Sequence, residues 1–167
     1  MADPSPGTEA PAEPLPWGSI ALALVIVGPV LVGISSFLEW AGRNFPTSFG
    51  GFDVPAKFVI DSESNLDGSG LKIGVVVLAI AVLGLIGVFA PVAWSNILVW
   101  VSGAAATLVP LLFLYQLNGF WDQYNRDFPP GGFGARNTVG VGAALCGVGG
   151  VVTLAGAALG IFAARRD

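Results

Sequence analysis

Apolar and polar positions alternate along this chain in long blocks, and the blocks predict four helices. Apolar stretches cover about 17–39, 71–89, 97–117 and 139–164, each close to the roughly 20 residues that a hydrocarbon core of about 30 Å requires. The polar or glycine-rich segments between them read as connections. The fold class expected is therefore an all-α integral membrane protein. It is a four-transmembrane-helix bundle, with one long loop between helices 1 and 2 and an amphipathic extension after helix 3. Residues 1–16 hold five prolines, three acidic residues and no Lys or Arg, a composition too poor in apolar surface to offset the entropy of ordering. They are expected to form a disordered tail ahead of one domain at 17–167. The tail lacks the basic start of a signal peptide, so the first span is expected to remain in the mature chain.

The last stretch organises the others. Between Val139 and Ala164 no side chain is charged, and Gly142, Cys146 and Gly150 make a ladder of small residues at spacing four. Gly149, Thr153 and Ala157 make a second ladder, and Gly156 with Gly160 forms a GxxxG pair. Small faces of this kind let helix backbones approach closely. Gly142, Cys146, Gly150, Gly156 and Gly160 are thus the candidate helix-packing residues, and ladders on several faces predict a central helix.

The first span is bracketed by Trp17 and Trp40, at the two depths where indole rings prefer to sit, and Pro29 after Gly28 predicts a bend in it. Glu39 and Arg43 follow at i,i+4, a pair worth roughly a few tenths of a kcal/mol when exposed. In the long loop, Phe45, Phe49, Phe52 and Phe58 lie among Pro46, Gly50, Gly51 and Pro55. Phe52 to Ile60 predicts a short extended segment interrupted by Pro55. Asp61 to Gly70 reads as a polar turn whose acidic spacing does not fit a calcium loop.

The second span has no ionisable residue after Lys72, which is expected to snorkel to the interface. The short connection Ala90 to Asn96 makes spans two and three a tight antiparallel hairpin. Pro110 bends the third span, with Thr107 placed to help satisfy a freed carbonyl. Beyond Tyr115, Phe120, Tyr124 and Phe128 recur every four residues with Trp121 beside them, and Asp122 and Arg126 pair on another face. This predicts an amphipathic extension along the membrane interface, ended by Pro129 and Pro130. Candidate partner or interface contacts are Trp40, Phe45, Phe49, Phe52, Phe120, Trp121, Tyr124 and Phe128. Aromatic rings near Asp122, Asn125, Arg126 and Asp127 also suit stacking on a sugar, although interface anchoring is the preferred reading.

Composition narrows function further. The chain is 54% hydrophobic and 11% charged, far from the soluble globular mixture. A net charge of −4 argues against a nucleic-acid partner. With no histidine and one cysteine, metal sites of nitrogen and sulfur ligands are excluded, and no cofactor is expected. Cys146 has no cysteine to pair with in the chain and reads as a small packing residue.

No span carries an ionisable residue in its middle, so no catalytic residue is assigned. Loop carboxylates, Glu39 with Asp53 or Asp122 with Asp127, are the material for a membrane enzyme, the least favoured reading. A small-solute or lipid transporter ranks above it. A non-catalytic accessory or scaffolding subunit of a membrane or cell-envelope complex ranks first, its partners being the bilayer and other membrane subunits or further copies of itself.

Orientation draws on two opposed signals. Arg43, Lys57, Lys72, Arg126 and Arg136 flank the long connections, whereas Arg165 and Arg166 abut the last helix; the raw count favours cytoplasmic loops. The acidic tail, the run Ser36, Phe37, Leu38, Glu39, Trp40, the Gly/Ser-rich loop, the tight second hairpin and the basic end together resemble small four-span membrane proteins abundant in actinobacteria. That group shares no activity. The resemblance implies cytoplasmic termini and extracytoplasmic loops, and that orientation is adopted. The layout is also similar to that of claudins, but their tryptophan and paired-cysteine loop signature is missing and that family is not assigned.

Overall fold

A computed structural model describes residues 17–42, 48–61, 66, 68–90, 94–127 and 138–165, without the side chains of 17, 121, 124–127 and 138. The tail expected at 1–16 lies outside these residues. In order, the elements are helix α1 (Trp17–Ser35), strands β1 (Glu39–Gly42) and β2 (Ser48–Gly50), and a 3-10 turn (Ala56–Val59). Helices α2 (Ile73–Phe89) and α3 (Ser95–Asp127), strand β3 (Thr138–Val139) and helix α4 (Val141–Ala164) follow. The protein is mostly helical. Within α1, α3 and α4, the segments Gly18–Ser35, Ser95–Phe120 and Val141–Ala164 are long and apolar enough to cross a membrane. α2 is equally apolar but spans 17 residues, at the short end of the roughly 17–25 that crossing takes.

The four helices form a ring. α4 packs most extensively on α1 and next on α3, while α2 joins α3 to α1. The expectation that α4 is central therefore needs correction: two of its faces meet neighbours, and Ala144, Val148, Val151, Ala155 and Phe162 form an exposed third face. Small residues on several faces reflect two helix contacts at an angle rather than enclosure.

The helical architecture carries one element the sequence does not announce, a three-stranded antiparallel sheet in the order β2-β1-β3 that caps one end of the bundle. α1 stops at Ser35, short of the expected boundary near 39, for a local reason. Ser35 Oγ donates to Val32 O at 2.6 Å and Ser36 Oγ to Gly33 O at 2.7 Å. Backbone donors of Ser36, Phe37 and Leu38 turn to carbonyls three residues back, which tightens the last turn and lets the chain leave as β1. Ala41 then pairs with Phe49 on one side and Val139 on the other. The extended segment expected at 52–60 is instead a turn followed by the 3-10 helix, and only Pro55 bridges, to Lys72.

α3 runs unbroken for 33 residues, about 50 Å at 1.5 Å per residue, well beyond a hydrocarbon core of about 30 Å. The extension expected along the interface is thus a continuation of α3 itself, packed beside the 3-10 turn of the cap. Pro110 lies inside it and leaves the Ala106 carbonyl without its usual donor. Cys146 supplies one from α4, its Sγ donating to Ala106 O at 3.4 Å. The expected helper, Thr107, donates to Gly103 O instead, at 2.9 Å.

The core sits where bundle and cap meet, built on Trp40, Val54, Phe58, Ile73, Val77, Phe113, Leu117, Ala143 and Cys146. Trp40 is 0% exposed, and its Nε1 donates to Ser35 O at 2.9 Å. Its ring meets Phe113 edge-on at 5.3 Å, Phe113 meets Phe58 at 5.7 Å, and Phe58 meets Phe120 at 5.8 Å. Trp40→Ala is expected to destabilise the protein by about 3–5 kcal/mol. Trp40→Phe is expected to cost less, because it fills part of the space and the Ser35 carbonyl, though it loses the indole donor, still accepts from Leu38 N. Unfolding in detergent, followed by near-ultraviolet dichroism, should rank wild type above Trp40→Phe above Trp40→Ala.

Candidate functional site

The candidate packing residues of α4 occupy different surroundings. At its closest approach to α1, a Cβ on Gly149 would lie 2.8 Å from Gly28 O, and one on Gly28 would lie 2.7 Å from Gly149 O. The two backbones touch, so neither position has room for a side chain. Gly150 faces α3, where a Cβ would fall 2.6 Å from Thr107 N. Gly142 faces the cap, with Trp40 Cδ1 2.7 Å from the same imagined atom. Gly156 lies against Leu24 and Val25 at 2.8 Å, whereas a Cβ on Gly160 would find only Ala21 Cβ, at 3.9 Å. The two glycines of the GxxxG pair are therefore unequal. Sequence reasoning passed over Gly28, Gly84 and Gly87 as packing residues. A Cβ on Gly84 would meet Ser102 Oγ at 2.6 Å, and one on Gly87 would meet Leu98 Cβ at 2.9 Å. Only Gly28 faces a glycine, Gly149; Gly84 faces Ser102 and Pro29, and Gly87 faces Leu98 and Ser95, pairings that no local window contains.

The buried hydroxyls described in the bundle serve its backbone. Ser102 Oγ donates across the helix pair to Ile80 O at 2.8 Å, and Thr153 Oγ1 donates to Gly149 O at 2.8 Å. Together with Ser35, Ser36, Thr107 and Cys146, each has a carbonyl as its acceptor.

In the cap, Asp53 Oδ2 accepts from Gly50 N at 2.8 Å, so this carboxylate closes a turn. Lys72, expected to snorkel, donates its ammonium to Asp53 O and Gly68 O, each at 2.8 Å; the nearby carbonyls hold it to the cap. Gly74 N donates to Gly51 O at 2.6 Å, and Gly140 N donates to Trp40 O at 2.9 Å. The beginnings of α2 and α4 are thereby tied to the loop after α1.

The described candidate contact residues range from interior to exposed. Trp40 is interior, and so has no surface to offer a partner. Phe49 and Phe120 are half-buried against the core. Phe52 is 38% exposed and stacks on Phe37, itself 68% exposed, with ring centroids 5.2 Å apart. Phe45 and Phe128, with the side chains of Trp121, Tyr124 and Arg126, lie outside the described residues, as does Arg43. Among the described residues no group of three or more His, Cys, Asp or Glu is arranged to hold a metal ion.

Two hollows are lined by described residues of the bundle. A shallow apolar groove of about 400 Å³ runs between α3 and α4 beside Pro110 and Gly147. A larger cleft of about 680 Å³ opens at the end opposite the cap, where all four helices contribute to the wall. No protein-family model, curated protein or solved structure matches the chain.

The inequality of Gly156 and Gly160 is directly testable. Gly156→Ala should destabilise by about 1–3 kcal/mol through overpacking, and Gly156→Leu should disrupt the α1–α4 contact outright. Gly160→Ala should be neutral or stabilising by up to about 1 kcal/mol, because alanine is the better helix former. Thermal unfolding of the purified variants in one detergent separates the two; equal effects at both sites would contradict this geometry.

Proposed function

We propose that the protein is a non-catalytic four-span membrane component, an accessory or scaffolding subunit of a membrane or cell-envelope complex. α2 is the fourth span: at about 25 Å for 17 residues it nearly matches the hydrocarbon thickness. The observation that carries the reading is how interior polar groups are used. Each hydroxyl or thiol described inside the bundle donates to a backbone carbonyl, Ser102 and Cys146 on a neighbouring helix and Ser35, Ser36, Thr107 and Thr153 on their own, so these groups are spent on the backbone instead of standing poised in a cavity.

What such a molecule has to offer is a shaped cap on one side. Phe37 and Phe52 form an exposed aromatic pair there, and Ile60 and Leu71 are 78% and 62% exposed. Apolar side chains on a cap this well tied together suit contact with a neighbouring subunit or the bilayer surface. In the orientation adopted, the termini are cytoplasmic and the cap is extracytoplasmic. Cap residues that stack and bury against one another would stay ordered away from the bundle's apolar belt.

Cysteine labelling tests the orientation cleanly, because Cys146 is the only cysteine and is buried. In intact cells, Ser69→Cys should react with a membrane-impermeant maleimide, while a cysteine appended at the C-terminus should react only after permeabilisation. The reverse pattern would invert the topology. Gentle extraction through a C-terminal tag tests the subunit reading: a stoichiometric larger assembly is expected, and Phe37→Ser with Phe52→Ser should release it. Recovery of the chain alone would contradict it.

A further inference from the structure

The cleft opposite the cap has a structural cause. α1 and α2 meet where Pro29 packs on Gly84, and α3 and α4 meet where Gly150 packs on Thr107 and Gly103 on Leu154. Towards the termini the tight approaches run within pairs instead: Gly156 on Val25 joins α4 to α1, and Gly87 on Leu98 joins α2 to α3. The two pairs separate, and the space between them is the cleft of about 680 Å³. That volume lies within the roughly 300–1,000 Å³ typical of ligand sites.

Its walls and its mouth differ in chemistry. The walls are apolar, with Leu22, Val25, Val99, Trp100 and Ile161 among the lining residues, while Ser95, Asn96 and Arg165 line it at the helix ends. Among the described residues that line it, Arg165 is the one that carries a charge. Two helix starts and two helix ends meet at this level, so their dipoles offset one another and Arg165 sets the sign of the mouth. From Arg165 down to Gly156 the depth along α4 is about 14 Å at 1.5 Å per residue.

From this shape we infer that the cleft binds a single-chain anionic amphiphile of the fatty-acid class, its carboxylate at Arg165 and its hydrocarbon tail between the two helix pairs. Charge complementarity selects the head, since a guanidinium pairs with a carboxylate through two parallel hydrogen bonds and Asn96 and Ser95 offer further donors. Depth and volume select one tail. The inference does not depend on the chain having a partner subunit.

Equilibrium dialysis of the full-length protein in digitonin, whose hydrophobic part is not an alkyl chain, against radiolabelled laurate tests it. Wild type should bind laurate saturably, near one per chain. Arg165→Gln should weaken binding about tenfold, the loss of one charge-assisted contact. Dodecanol should bind wild type about tenfold more weakly than laurate and be indifferent to Arg165→Gln. Ala157→Phe, which places a ring in the cleft, should reduce binding of both. Non-saturable laurate uptake, equal affinity for laurate and dodecanol, or unchanged binding by Arg165→Gln would each overturn the assignment. So would tenaciously retained diacyl phospholipid that laurate does not displace.

Discussion

A buried indole N–H must find an acceptor, and the acceptor Trp40 finds is the carbonyl of Ser35, at the end of the helix it has just left. This hydrogen bond turns the chain back over the top of the bundle. Once it does so, β1 lies across the helix ends, and Gly142 must be a glycine because the ring occupies the space above it, while Gly51 has no room for a side chain chiefly because the Ser36 carbonyl stands there, with the indole nitrogen next to it. The edge-on contact with Phe113 carries the same constraint into α3, and Phe58 and Phe120 extend it outwards. One side chain thereby fixes the relation of α1, α3, α4 and the loop.

Below this level the bundle is held by backbone approach rather than by bulky interdigitation. Gly28 against Gly149 and Gly150 against Thr107 set α4 close to both neighbours, and the nearby hydroxyls of Thr107 and Thr153 turn back to carbonyls of their own helices, so no polar donor is left facing the contact. Cys146 shows the economy of this arrangement: its thiol serves the carbonyl orphaned by Pro110 on the neighbouring helix. The same contacts explain the cleft. Tight approach at mid-depth, relaxed into two separate pairs near the termini, leaves apolar space with a guanidinium at its edge.

The helices were legible because long apolar runs are a local signal, and so was the small-residue character of α4. The sheet was not. Its strands are two to four residues long, too short for a period-two pattern to show, and Ala41 pairs with Val139 across most of the sequence. In the sequence Trp40 has the position of an interfacial anchor, just after a span; its burial depends on Phe113 and Gly142, which no local window contains. Gly156 and Gly160 look alike in sequence and differ only in what stands opposite. Likewise, the donor to Ala106 was sought one residue away in α3, whereas it comes from α4. The cleft depends on how helix pairs diverge, a property of four helices together.

The claim that the cap is built onto the bundle through Trp40 is tested most directly by native-state hydrogen exchange of the Gly51, Gly74 and Gly140 amides. All three donate to backbone carbonyls, of Leu38, Gly51 and Trp40 respectively. If Trp40 locks the cap in place, these amides exchange as slowly as those in the middle of α4, and Trp40→Phe accelerates all three together while leaving the helix interior slow. Exchange at the rates of an unstructured loop in the wild-type protein, or three unrelated responses to the substitution, would contradict the account.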